Sequence, residues 1–166
     1  MNTASFTPVL AKIFAELTTG STHAGGFVLN GGDAGLLASL DKLSAQEASQ
    51  ASHQGATIAA HAEHLRFGLS LMNRWATEGG NPFAGAEWYA AWKTGAVDDA
   101  RWKEIRQGLR QEVEQWQKAL QQPREVVEIE LSGMVGSVAH LAYHLGAIRQ
   151  IDAAARGPKD DSETRG

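Results

Sequence analysis

Apolar positions recur at helical spacing along most of the chain, and the breaks between recurrences fall at glycine and proline. Phe6, Leu10, Ile13 and Leu17 repeat at three- and four-residue intervals, Pro8 suits a first helical turn and Gly20 closes the pattern, which predicts a helix beginning near Thr7, a residue type that can cap. Residues 21–32 are rich in glycine and small polar side chains and read as a loop. Asp33 is placed to cap a short helix carrying Leu36, Leu37, Leu40 and Leu43. Ser44-Ala-Gln-Glu47 has the form of a capping box, opening either a new helix or a terminal turn.

The next stretch, residues 56–78, places Ile58, Leu65, Leu69, Met72 and Ala76 on one stripe and stops at Gly79-Gly80, so it predicts a long helix. Trp88 and Trp92 then stand one helical turn apart in a segment too short for a main helix, which reads as a packed excursion across one end of the molecule. From Asp98 the chain carries its clearest amphipathic pattern: Trp102, Ile105, Leu109, Val113, Trp116 and Leu120 before Pro123. Residues 125–131 alternate apolar and acidic side chains, but a lone extended piece has no evident partner and reads as a connection. A last helix is expected over 134–155 through Val138, Leu141, Leu145, Ile148 and Ile151. Three long helices, a fourth at the N-terminus and no convincing sheet predict an all-α fold, with one domain over 1–156 and a mobile tail over 157–166 that has almost nothing to bury.

Composition narrows the partners. At 166 residues, 43% hydrophobic and 20% charged, the chain is long enough to bury a core without cross-links. A net charge of -4 supplies no broad basic field for phosphates, so nucleic acid is not expected. No run approaches the roughly 18 apolar residues of a spanning helix, and no basic start precedes an apolar stretch, so a cytoplasmic protein without a membrane partner is the simplest expectation. There is no cysteine, so any metal must be held by His, Asp or Glu.

Four of the six histidines fall in two predicted helices, as His61-Ala-Glu-His64 and His140-Leu-Ala-Tyr-His144. Residues four apart on a helix share a face, so His140 and His144 can aim both imidazoles at one point, as a chelating pair requires. A third ligand must come from another helix. On a wheel at about 100° per residue, His61 lies near the middle of its apolar arc and His64 on the flank, and periodicity alone leaves both as candidates. His23 and His53 fall in loop-like segments and read as solvated residues. Trp75, Trp102 and Trp116 fall within apolar stripes and read as core. Glu63 and Tyr143 point away from the expected ligand face, so no acid or base is assigned and the catalytic residues are unknown. Arg66, Arg74 and Arg149 read as ion-pairing or solvating residues rather than substrate ligands.

The run Thr57-Ile58-Ala-Ala-His61-Ala-Glu-His64-Leu65-Arg66-Phe67, together with His140-Leu-Ala-Tyr-His144-Leu-Gly-Ala-Ile-Arg149, resembles the DinB/YfiT-like superfamily over most of the chain. The resemblance implies a four-helix bundle with short additional helices and a three-histidine metal site, one ligand on the second long helix and an HxxxH pair on the last. Position by position, the first ligand stands seven residues after Thr57, which is His64, and the pair is His140 and His144. This sequence departs from the pattern in carrying His61, where many relatives have an apolar residue, and in a longer loop over 20–32. His61 is therefore either a competitor of His64 or a support for the site.

A set of three neutral imidazoles suits a divalent transition metal, zinc first, then nickel or iron, and leaves a position open for water or substrate. The resemblance further implies a metal-dependent enzyme, a thiol S-transferase or a hydrolase, acting on a small molecule such as a low-molecular-weight thiol. The alternative is a metal-binding or stress-related module without catalysis. A homodimer is expected in either case.

Overall fold

The computed structural model describes residues 1–52 and 55–159, and within them the chain is all-helical, with no strand. Seven α-helices follow in order: α1 (Thr7–Thr19), α2 (Gly35–Asp41), α3 (Ala45–Ala48), α4 (Ile58–Glu78), α5 (Trp88–Trp92), α6 (Asp99–Leu120) and α7 (Glu128–Ile151), with a 3-10 turn over Ala153–Ala155. His53 and residues 160–166 of the expected tail over 157–166 lie outside the described residues. No described helix is long and apolar enough to cross a membrane.

The amphipathic stripe of α6 is the part of the pattern that the structure buries in full. Trp102, Ile105, Leu109, Val113, Trp116 and Leu120 are all buried, the six positions the spacing selects. Asp98 caps the helix by accepting from the Arg101 N–H at 2.7 Å. The two buried indoles keep their donors paired: Trp102 Nε1 donates to the Leu43 carbonyl at 2.8 Å and Trp116 Nε1 to Ser137 Oγ at 2.9 Å. α1 and α4 each pack against both α6 and α7, and α2 closes over α1. Phe14, Leu17, Leu36, Ile58, Leu65, Met134, Leu141 and Leu145 complete one continuous core.

Several boundaries differ from the sequence expectation for identifiable reasons. Thr7 does not cap α1, whose N-cap is Phe6 with no side-chain bond. Asp33 precedes the N-cap of α2 by one residue, yet its carboxylate still accepts from the Gly35 N–H at 2.8 Å. Ser44 and Glu47 do form a capping box, and it opens a separate helix of 4 residues. The last helix begins at Glu128 rather than near 134, because the Glu130 carboxylate turns back to accept from the Val127 N–H at 2.8 Å and starts the helix within the alternating stretch. The remainder of that stretch is not unpartnered: Val126 N–H donates to the Met1 carbonyl at 2.9 Å and Thr3 N–H to the Arg124 carbonyl at 3.0 Å, an isolated pairing rather than a strand.

The long loop over 20–32 is held from inside. The Glu16 carboxylate of α1 accepts from the N–H groups of Phe27, Val28 and Leu29 at 2.7–2.9 Å. Gly20 turns out of α1 at φ 103°, where a Cβ would run into the Asp33 carbonyl, so only glycine permits the return to α2.

Candidate metal centre

α4 and α7 pack side by side, and their contact brings together four histidines. The first turn of α4 is fixed by Thr57, whose Oγ1 accepts from the Ala60 N–H at 3.0 Å and donates to the Thr94 carbonyl at 3.1 Å, tying the helix start to the segment after α5. One and two turns onward stand His61 and His64. On α7 the four-residue spacing directs His140 and His144 toward the same seam.

His64, His140 and His144 each offer a ring nitrogen, and these atoms all lie within 4.8 Å of one another, close enough to hold one metal ion. His64 Nε2 lies 3.0 Å from His140 Nε2, and His144 Nε2 lies 2.9 Å from the same atom. Two nitrogens each about 2.0–2.1 Å from a shared ion, at angles of roughly 90–110°, stand about 2.9–3.4 Å apart, so the observed edges fit a common cation. They fit a network of protons less well. An imidazole nitrogen carries either one proton or one lone pair, so His140 Nε2 cannot serve two neighbours with two full in-plane hydrogen bonds. His64 Nδ1 is also buried with no partner among the described residues.

The electrostatics favour neutral rings with free lone pairs. His64 is 6% exposed and His144 1%, while His140 is half-buried. Burial first, then the neighbouring His140 and His61, lowers the pKa of His64 to about 4. Burial and the same kind of neighbours lower that of His144 to about 3. Burial also lowers His61 and His140. Neutral imidazole is the form that ligates metal.

His61 stands beside this set rather than in it. Its Nδ1 lies 2.8 Å from Nδ1 of His144, so one of these two nitrogens donates to the other. When His144 presents the lone pair of Nε2, its proton sits on Nδ1 and His61 accepts it, an arrangement that holds ring and tautomer. The helical wheel puts His61 deeper than His64, whereas in the fold His64 is buried and His61 half-buried. The reason is α5. Trp92 stacks on His64 with ring centroids 4.2 Å apart at 26°, and Trp88 lies 5.7 Å away on the same ring, so neighbours outside the α4 pattern bury it. Trp92 also meets His61 edge-on at 5.3 Å.

Trp88 and Trp92 are thus walls of the histidine cluster as well as packing residues. Their one-turn spacing repeats that of the histidine pair, a signal visible in the sequence without indicating what the indoles face. Trp75, by contrast, is buried in the core and donates from Nε1 to Glu130 at 3.2 Å. Glu63 is engaged by Arg66 at 2.9 Å and Arg101 at 3.4 Å, and Arg74 and Arg149 pair with Glu78 and Asp33. Tyr143 is 71% exposed and meets His144 only through a ring edge at 5.1 Å. His23 is exposed in the loop after α1. No family model, curated protein or solved structure matches the chain.

Proposed function

We propose that this chain is a DinB/YfiT-like four-helix bundle in which His64, His140 and His144 hold one divalent transition-metal ion, zinc first, and that it is a metal-dependent enzyme of the thiol S-transferase or hydrolase type. The observation that carries the proposal is the convergence of three Nε2 atoms, with edges of 3.0 and 2.9 Å and no carboxylate or carbonyl partner among the described residues. α1 and α4 packing on both α6 and α7 supports the bundle. A bound ion of this kind supplies Lewis acidity, lowering the pKa of a water or thiol it takes up.

The chain's own residues supply the rest. Trp88 and Trp92 roof His64 and keep water from that side. His61 orients His144. His64 and His140 also line a large cavity, which favours catalysis over a non-catalytic module, because such a module has no need of space beside its ligands. The test is metal analysis of the purified protein with exchange of thiols onto an electrophilic aryl halide and hydrolysis of activated esters as assays. We expect one ion per chain, lost in His140→Ala, with turnover that disappears on chelation and returns with zinc or nickel. Protein carrying no stoichiometric metal after incubation with zinc, nickel and iron would overturn the proposal.

A further inference from the structure

The cavity beside the histidines has a volume of about 840 Å³, within the range of roughly 300–1,000 Å³ typical of small-molecule sites. From α4 it is lined by Leu65, Leu69, Met72 and Trp75, and from the α5 side by Phe83 and Trp88. Val127 and Ile129, 60% and 77% exposed, form an apolar lip.

The middle of the α7 wall, between Ile129 and His140, carries only small residues: Ser132, Gly133, Gly136 and Ser137. Gly133 and Gly136 stand two turns and one turn before His140, and Gly68 faces them from α4, one turn after His64. Glycine inside a helix is less stable than alanine, and here three sit mid-helix around one space. A Cβ at Gly136 would meet nothing within 4 Å, and one at Gly133 only the Met72 Cε at 3.9 Å. The space in front of α7 is therefore open for want of side chains, not closed by tight packing.

Charge decides what would fill it. Among the described lining residues there is no Lys, Arg or Asp. The one carboxylate, Glu130, is held by the Val127 N–H and the Trp75 indole, bonds that keep its pKa below the usual value and its charge in place. An anionic ligand body would meet that negative charge with no basic side chain on the lining to balance its own. The inner end, at His64 and His140, is where the cavity meets imidazole nitrogens.

We infer that the cavity takes an uncharged, predominantly apolar small molecule whose body lies between the Leu65–Trp75 face of α4 and the glycines of α7, with a single metal-binding head, such as a thiol, at His64 and His140. The head group rests on the metal centre proposed above; the apolar body does not. Charged, amino-acid-derived thiols are excluded from the preferred substrates by the absence of basic side chains beside the ligand body.

Isothermal titration separates the two parts. The probes are 4-phenylbutane-1-thiol, its alcohol analogue 4-phenylbutan-1-ol, and glutathione, each against zinc-loaded and metal-stripped protein at pH 7. The phenylbutyl thiol is expected to bind the zinc-loaded protein at least tenfold more tightly than glutathione, and the alcohol to bind both forms alike. Gly136→Leu fills the open space and favours helix, so it should weaken both phenylbutyl probes at least tenfold while leaving zinc content and far-ultraviolet circular dichroism unchanged. Gly133→Leu, on the same wall, carries the same expectation. Glutathione binding as tightly as the phenylbutyl thiol, or phenylbutyl binding indifferent to both glycine variants, would overturn the inference. Alcohol binding that Gly136→Leu abolishes, in a protein that takes up no metal, would uphold the cavity while removing the metal reading.

Discussion

Asp33 with Arg149, and the four histidines between α4 and α7, are both polar groups taken out of water, yet only the first set is complete in itself. Arg149 donates to both Asp33 oxygens at 2.8 and 2.7 Å and to the Ala155 carbonyl at 3.1 Å, while Asp33 also accepts from Gly35. Opposite charges meet in a two-pronged geometry and their donors are used. In the other cluster, bases face bases. His140 Nε2 has two like neighbours, and His64 Nδ1 has none. A buried polar set closed by its own partners is a structural joint. One that lacks a positive counterpart is a receptor for one.

The largest expected effect breaks the contrast at the histidines. His140→Ala and His144→Ala should each take metal content from one ion per chain to none by elemental analysis, because two rings on facing helices cannot replace three, while secondary structure persists. Full metal retention in both would show the cluster to be closed by hydrogen bonds like its counterpart. Next comes Arg149→Met, which leaves the 3% exposed Asp33 without its cation and should lower unfolding stability by about 3–5 kcal/mol in urea, with metal content unchanged. Loss of metal in that variant would mean the two clusters are coupled.

His61→Leu sharpens the boundary of the site. Removing the group that holds His144 Nδ1 should weaken metal affinity roughly 10- to 100-fold by competition with a chelator, and His61→Gln, which keeps an acceptor, should recover part of it. Equal affinity in all three proteins would make His61 a packing residue. A further difference appears in acid. For metal-free protein, His64 and His144 stay neutral down to about 4 and about 3, while the unfolded chain takes up protons near 6.5. Below that value the unfolded state binds more protons, so stability should decline as pH falls from about 6.5 toward 4. At Asp33, burial would raise the pKa, but the bonds from Arg149 and Gly35 outweigh it and hold the carboxyl below its ordinary value. Its contribution is therefore intact above the carboxylate range and is lost only at lower pH. Urea midpoints measured across pH 7 to 3 should show the histidine phase first.

The legible parts of this molecule are those in which one helix explains itself. The α6 stripe could be read to the residue because all six apolar positions answer to one helical period and one cap. The start of α7 could not, because Val127, Ile129 and Leu131 mimic a strand, and the Glu130 carboxylate that starts the helix is recognisable only once the turn exists. At the site, the spacing of His140 and His144 announced itself. The choice of His64 over His61 came from the resemblance, and its depth is conferred by Trp92, a residue 28 positions away whose contact no α4 pattern contains. The Asp33–Arg149 joint spans 116 residues and left no local trace. Nor did the cavity, since a glycine in a helix reads as a weak helix former until the facing wall is known.

The order of the ligands along the chain has a consequence for biosynthesis. His64 emerges from the ribosome early, but both of its companions lie in the last helix, 76 and 80 residues later. Until α7 is made and docks, α4 presents His64 with only His61 beside it, on an uncovered apolar face, and the three-nitrogen cluster does not exist. Completion of the cluster thus waits on α7. Any metal taken up there arrives after α1 to α6 have already been made.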